Sequence, residues 1–253
     1  MEINIIPCLK DNYSYIIYDK ISKLVAVIDP SEPEPVEKFI SKSYKKINFI
    51  LNTHHHLDHV GGNNALKKKY SAKILGSEID KERIPAVDIL LKENDEFKFG
   101  NISFEIISVP GHTKGHLAFY SKEEGVVFSG DALFSLGCGR IFEGTSSQMF
   151  RSIQKFKELP KKTKIYCGHE YTKNNLKFCK KFDPNNQELI KKEEWINAKI
   201  IKKMPTLPVT VDEELRTNIF LRCDNIDVKN NLKMKDFSDK LIFEKLRNLK
   251  DEF

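Results

Sequence analysis

The chain has 253 residues, 40% of them apolar, enough for a sizeable core as one large domain or one domain with a smaller companion. Lys and Arg number 42 against 36 Asp and Glu; this excess of +6 suits a solvated surface or a small anionic substrate better than a nucleic-acid face. The five cysteines (Cys8, Cys138, Cys167, Cys179, Cys223) form no CxxC, which argues against a disulfide framework. With no basic leader and no long apolar run, the expectation is a cytoplasmic protein without a membrane partner.

Short runs rich in β-branched and aromatic residues predict strands over 13–18, 24–28, 49–52, 72–75, 102–109, 117–120, 126–129 and 164–167. Between them, helices are predicted over 34–44, 63–70 and 147–159, with Pro35 and Ser146 near their starts. From about Thr172 the strand signals stop. Residues 173–182, 187–203, 212–223 and 239–251 read as helices, separated by Asp183-Pro184 and by 205–208. The expectation is an α+β chain in two parts, a catalytic domain over 1–171 and a helical substrate-binding domain over 172–253.

All seven histidines fall in three short segments. His54-His55-His56-Leu57-Asp58-His59 reads HxHxDH and follows a strand-like run; His112, Asp131 and His169 also lie just past strand-like runs. Imidazole and carboxylate donors suit a borderline divalent cation such as zinc. Seven candidates (His54, His56, Asp58, His59, His112, Asp131, His169) exceed the need of one tetrahedral ion and suffice for two. Alternate residues of an extended segment point the same way, so His54 and His56 can share one ion, while Asp58 and His59 can face another. His112 and His169 can complete the two sets, and Asp131 offers an oxygen to each ion; spacing alone does not fix which donor serves which. Two ions about 3.5–4 Å apart can hold an activated water between them, which makes Asp58 and Asp131 the catalytic candidates among the ligands. Gly61-Gly62 allows tight backbone passage into the next helix. His55 is out of phase and is expected to contact a neighbour or solvent, and His116 to make a structural hydrogen bond. Asp29 is either a support for a ligand histidine or a turn cap. Cys138, between Gly137 and Gly139, reads as a small buried residue rather than a nucleophile.

With these residues in place, the chain resembles the glyoxalase II (hydroxyacylglutathione hydrolase) family of the metallo-β-lactamase superfamily. The resemblance runs nearly end to end. It is carried by Asp11-Asn12-Tyr13, Thr53 to His59 with Gly61-Gly62-Asn63, and Pro110-Gly111-His112-Thr113-Lys114-Gly115-His116. It continues through Gly130-Asp131-Ala132-Leu133-Phe134, Gly137-Cys138-Gly139-Arg140, Glu143-Gly144-Thr145 and Gly168-His169-Glu170-Tyr171-Thr172. The last third adds Asn218-Ile219-Phe220-Leu221-Arg222 and Arg247-Asn248-Leu249-Lys250. It implies a metallo-β-lactamase-like αββα sandwich with a helical C-terminal domain, and two divalent ions per chain, zinc first, with iron or manganese as options. In that family the matches of His54, His56 and His112 bind one ion, those of Asp58, His59 and His169 the other, and that of Asp131 bridges. The implied reaction is metal-dependent hydrolysis of S-D-lactoylglutathione to glutathione and D-lactate, a step of methylglyoxal detoxification, by a monomer without a nucleic-acid partner.

Glutathione carries carboxylates, and the resemblance places Arg140, Tyr171, Arg247 and Lys250 around them. Arg247 and Lys250, three apart, share a helix face. Arg140 stands where many relatives have lysine, and Phe142 where some have tyrosine. Two alternatives are a glutathione persulfide dioxygenase with a single iron and an RNA-directed member of the superfamily. The complete second ligand set (Asp58, His59, His169) speaks against the first, and 36 dispersed lysines against 6 arginines speak against the second.

Overall fold

In the computed structural model, which describes residues 1–253, Glu2–Cys8 (β1) and Asn12–Tyr18 (β2) form an antiparallel hairpin in which Glu2 faces Tyr18 and Cys8 faces Asn12. Val25–Ile28 (β3) continues antiparallel to β2. Phe49–Leu51 (β4), Lys73–Ser77 (β5) and Ile89–Leu91 (β6) then add in parallel, giving a six-stranded sheet in chain order. Parallel neighbours need crossovers. Pro33–Ser43 (α1) joins β3 to β4, and the short Leu57–Val60 (α2) with Asn63–Tyr70 (α3) joins β4 to β5. Pro33 begins α1, where a missing N–H costs no helical bond. Glu96–Phe99 (β7), Ile102–Ser108 (β8), Leu117–Ser121 (β9) and Val126–Gly130 (β10) form an antiparallel meander.

These strands and helices make up the first of two compact units, Met1–Ser108 with Lys114–Gly130. One face of its first sheet buries Ile16, Val25, Val27, Ile50 and Ile74 beneath Val36 and Ile40 of α1 and Leu66 of α3. The other face is aromatic: Phe49 meets Phe97 edge-on at 5.2 Å, and Tyr15 meets Phe128 at 5.2 Å. A fully buried side chain such as Phe128 is worth roughly 1.5–3 kcal/mol. Strands β1, β6 and β7 were not predicted, and all three are edge strands. Edge strands expose part of their length, as Ile89 and Leu90 do, so their apolar content falls below the core pattern.

The second unit joins Val109–Thr113 to Asp131–Phe253. Leu133–Phe134 (β11) and Gly137–Cys138 (β12) make a tight hairpin. Ser146–Lys157 (α4) starts from a capping box between Thr145 and Gln148, so Thr145 is the cap and Ser146 the first helical residue. Lys164–Cys167 (β13), Thr172–Phe182 (α5) and Gln187–Ile201 (α6) follow. Strand structure does not end there, contrary to the expectation: Val209–Thr210 (β14) pairs antiparallel with β13, Ile165 facing Val209. A two-residue strand carries no periodicity to detect.

Val211–Thr217 (α7), Ile226–Asn231 (α8) and Asp239–Asp251 (α9) complete the chain. The predicted helix over 212–223 is broken. It stops at Asn218, which adopts an extended conformation and uses its side chain to cap the 3-10 turn Ile219–Leu221. Asparagine competes for backbone groups in this way and so ends helices. Phe150, Phe178, Phe220 and Phe243 form this unit's aromatic core, with Phe178 stacked on Phe220 at 5.9 Å.

Candidate metal centre

In the first unit the HxHxDH segment leaves the end of β4, where the backbone must turn sharply into α2. Gly61 is required beyond it: a Cβ there would lie 2.4 Å from the Ser31 carbonyl oxygen. His54 Nε2 lies 3.1 Å from His56 Nδ1, and His59 Nε2 lies 3.6 Å from Asp58 Oδ2. Donor atoms of Asp29, His54 and His59 all fall within 4.8 Å of one another.

Asp29, at the end of β3, organises this group. Its backbone sits at φ 47°, a left-handed conformation that aspartate tolerates better than most residues. Its carboxylate accepts from Thr53 N at 2.7 Å and from Thr53 Oγ1 at 2.6 Å, and faces His59 Nδ1 at 3.0 Å. Because the Thr53 hydroxyl hydrogen is given to Asp29, Thr53 Oγ1 accepts from His54 Nδ1 at 3.0 Å. Both rings therefore carry hydrogen on Nδ1 and present Nε2 as the lone-pair nitrogen, as a metal ligand requires. Of the two readings open for Asp29, the geometry selects support of the candidate histidines His54 and His59. Asn12 adds a further hold, donating from Nδ2 to Asp58 Oδ2 at 2.9 Å and to the Asp58 carbonyl at 3.1 Å.

The second unit supplies the other three candidates. His112 Nδ1 donates to the Arg140 carbonyl at 2.8 Å, which again makes Nε2 the nitrogen that can offer a lone pair. That Nε2 lies 3.5 Å from Asp131 Oδ2, and His169 Nε2 lies 3.3 Å from the same oxygen. Bonds of about 2.1 Å to a tetrahedral ion put ligand atoms about 3.4 Å apart. Separations of 3.1 and 3.6 Å in the first unit, and of 3.3 and 3.5 Å in the second, are of that size, so each donor group fits a metal ion.

The Asp131–Arg140 stretch is held by side chains from the helices of its own unit. Asn218 Nδ2 donates to the carbonyls of Gly137 at 3.0 Å and Phe134 at 3.3 Å, and Asn175 Nδ2 to that of Ser135 at 3.0 Å. Glu214 accepts from Leu136 N at 2.8 Å, and burial pushes its carboxyl up to about 7. Arg247 is almost fully buried; its guanidinium donates to the carbonyls of Cys138 at 2.8 Å and Gly139 at 3.3 Å and pairs with Asp251.

Of the other expected substrate contacts, Arg140 reaches outward and pairs with Asp251 at 3.0 Å, and Tyr171 stacks on His169 at 4.7 Å. Lys250 Nζ is buried with no polar partner, over the rings of Phe178 at 5.2 Å and Phe253 at 5.0 Å. Burial, reinforced by the Arg247 charge, pushes its ammonium down to about 8. Phe142, exposed, lies edge-on to His112 at 5.2 Å. Cys138 is buried, and burial pushes its thiol up to about 11, so a thiolate there is disfavoured. His55 Nδ1 lies 3.1 Å from Asp80 Oδ2, and its ring meets that of His56 edge-on at 5.0 Å. His116 is buried with its ring stacked on His54 at 4.7 Å.

Residues 10–169 match the family model of the metallo-beta-lactamase superfamily, and residues 170–253 match that of the hydroxyacylglutathione hydrolase C-terminus. A hydroxyacylglutathione hydrolase of Pelagibacter ubique (strain HTCC1062) is 52% identical over 253 residues, covering 100% of both chains. The chain belongs to the hydroxyacylglutathione hydrolase family. The namesake of Brucella ovis is 42% identical, covering 100% of this chain and 98% of its own. The crystal structure of ETHE1 from Myxococcus xanthus superposes with a TM-score of 0.69 at 22% identity, over 98% of this chain and 91% of that one, a likeness of fold alone. The α+β metallo-β-lactamase fold with a helical C-terminal part is therefore the fold of this chain, as expected. Asn12 and Thr53 stand in the family motifs without a role that spacing assigns, and Asp80 lies outside them. Their partners lie 46, 24 and 25 residues away, a distance at which spacing carries no signal.

Proposed function

We propose that this chain is a metal-dependent thioester hydrolase that converts S-D-lactoylglutathione to glutathione and D-lactate. The reading is carried by one observation: His54, His59 and His112 each spend Nδ1 on a fixed acceptor, and Nε2 stands beside a carboxylate in His59 and His112 and 3.1 Å from His56 Nδ1 in His54. Full-length identity of 52% to a protein named hydroxyacylglutathione hydrolase supports the substrate class. The ligand assignment follows the family resemblance: His54, His56 and His112 for one ion, Asp58, His59 and His169 for the other, Asp131 for both. Two divalent ions, zinc by preference for mixed imidazole and carboxylate donors, would supply Lewis acidity and an activated water.

The chain's own residues set the rest. Asp29 and Thr53 hold the rings in one tautomer, and Asn12 holds Asp58. Arg140, Tyr171 and Lys250 bind the glutathione moiety, a carboxylate giving the desolvated Lys250 ammonium the partner it lacks. Arg247 serves the same binding by fixing the Cys138–Gly139 backbone beside Arg140. We assign residues 1–171 to catalysis and 172–253 to substrate binding, supported by the ranges of the two family models. Five free, buried cysteines support a reducing, cytoplasmic setting, and no helix is long and apolar enough to cross a membrane. We take the working form to be a monomer.

The test is turnover of S-D-lactoylglutathione by the purified protein, followed by loss of thioester absorbance, before and after chelation and with metal restored. Turnover that vanishes on chelation and returns with zinc, iron or manganese is expected. Absence of any metal-dependent turnover, or oxygen-dependent consumption of glutathione persulfide instead, overturns the reading.

A further inference from the structure

We propose that Asp80 and Arg83 are positioning residues for the metal-ligating segment, acting through His55. The inference rests on the metal centre proposed above and adds residues that neither the HxHxDH pattern nor the family resemblance singled out.

Asp80 ends the 3-10 turn Glu78–Asp80, capped by the Ser77 side chain, and its side chain is fully buried. A buried carboxylate is costly unless it is paired and hydrogen-bonded. Asp80 has two partners of different kinds. Arg83 Nη2 contacts Oδ1, and His55 Nδ1 lies 3.1 Å from Oδ2. Arg83 also reaches His55 itself, its Nη1 lying 3.2 Å from His55 Nε2. A guanidinium only donates, so His55 Nε2 accepts and the ring's hydrogen sits on Nδ1, directed at Asp80. The three side chains form a closed ring of contacts in which both nitrogens of His55 are engaged. Held at both nitrogens, the His55 ring meets the His56 ring edge-on at 5.0 Å and fixes the backbone between His54 and His56.

Asp80 also bears on a second part of the site. At Gly115, a Cβ would lie 2.5 Å from the Asp80 carboxylate, so the backbone just before His116 rests directly on Asp80. The His116 ring is in turn stacked on His54, at 4.7 Å and an interplanar angle of 17°. Asp80 thus braces His54 from two sides, through His55 along the chain and through the Gly115–His116 backbone across it. An ion pair that merely stabilised the 3-10 turn would need neither contact.

The experiment uses the full chain with the substitutions Asp80→Asn, Arg83→Gln and Arg83→Lys. Apo-protein is titrated with zinc against a chromophoric chelator, and kcat and KM for S-D-lactoylglutathione are measured on the loaded forms. Loss of a group that orients a metal ligand costs on the order of 10–100-fold in metal affinity. Asp80→Asn and Arg83→Gln should both fall in that range, with kcat lowered and KM within about twofold, and Arg83→Lys should recover part of the loss. Arg83 is partly exposed, so its variants answer the question even if Asp80→Asn fails to fold. A parent that binds zinc with Arg83→Gln, and any folded Asp80→Asn, matching it in affinity and kcat overturns the inference alone. A parent that takes up no zinc overturns the metal centre and this inference with it.

Discussion

The two ligand-bearing stretches, 54–59 in the first unit and 131–140 in the second, are held by opposite means. Around 54–59 the rings are held by carboxylates, Asp29 on His59 directly and on His54 through the Thr53 hydroxyl, and Asp80 on His55, while the Asn12 amide holds Asp58. The carboxylates face imidazole N–H groups and are buried with them, so they set ring tautomers as well as positions. Around 131–140 the supports are amides, a guanidinium and the raised carboxyl of Glu214, and they grip backbone carbonyls and one N–H. These fix the path of the chain rather than the protonation of a ring. The first stretch is tuned for donor chemistry; the second is built as a rigid wall that sets where Asp131 and Arg140 stand.

The sharpest way to break that contrast is Glu214. Its raised carboxyl binds a proton in the folded chain at pH values where the unfolded chain, near 4.5, has already released it. Stability from this group is therefore greatest below pH 4.5 and is lost as pH rises to about 7. The loss is roughly 3 kcal/mol, since each tenfold change in proton affinity corresponds to about 1.4 kcal/mol. Denaturant unfolding across pH 4.5–7.5 should show this slope in the parent and a flatter profile in Glu214→Gln; equal slopes would remove Glu214 from the account.

Asp29→Asn tests the first stretch with a smaller expected effect. Asparagine tolerates the left-handed backbone at this position but lacks the carboxylate. Zinc affinity should fall on the order of 10–100-fold. Unchanged affinity would mean that tautomer control is not what Asp29 provides.

The smallest effect is expected at Lys250. Lys250→Ala should raise KM for S-D-lactoylglutathione about tenfold, or about 1.4 kcal/mol, with kcat within about twofold at saturation. In the parent, KM should climb above pH 8 as the ammonium loses its proton, and the variant should lack that rise. A KM independent of pH between 7 and 9 would exclude the contact.

Much of this was legible in advance because it repeats at short range. HxHxDH follows an apolar strand, and the helix over 63–70 and the one over 239–251 carry clean periodicity and stand as predicted. The edge strands β1, β6 and β7 were missed because half-exposed strands dilute the apolar signal. The break at Asn218 was missed because the apolar pattern runs on through Ile219–Leu221, while the Asn218 side chain caps that turn locally and is fixed by the carbonyls of Gly137 and Phe134, 81 and 84 residues away. Lys250 and Arg247 read alike as cations on one helix face, yet one is left without a polar partner and the other is spent on backbone.

The candidate ligands were legible from residue type and local spacing: imidazoles and carboxylates suit divalent ions, and strand geometry sends alternate ones the same way. Which nitrogen of His59 and of His112 is left to offer a lone pair was decided only by the tertiary structure. That choice belongs to whatever acceptor the fold brings to Nδ1, whether the Arg140 carbonyl for His112 or the Asp29 carboxylate for His59. A hydrogen bond reaches about 3 Å, and no chain of side chains 28 or 30 residues apart meets at that distance until the core has closed around them.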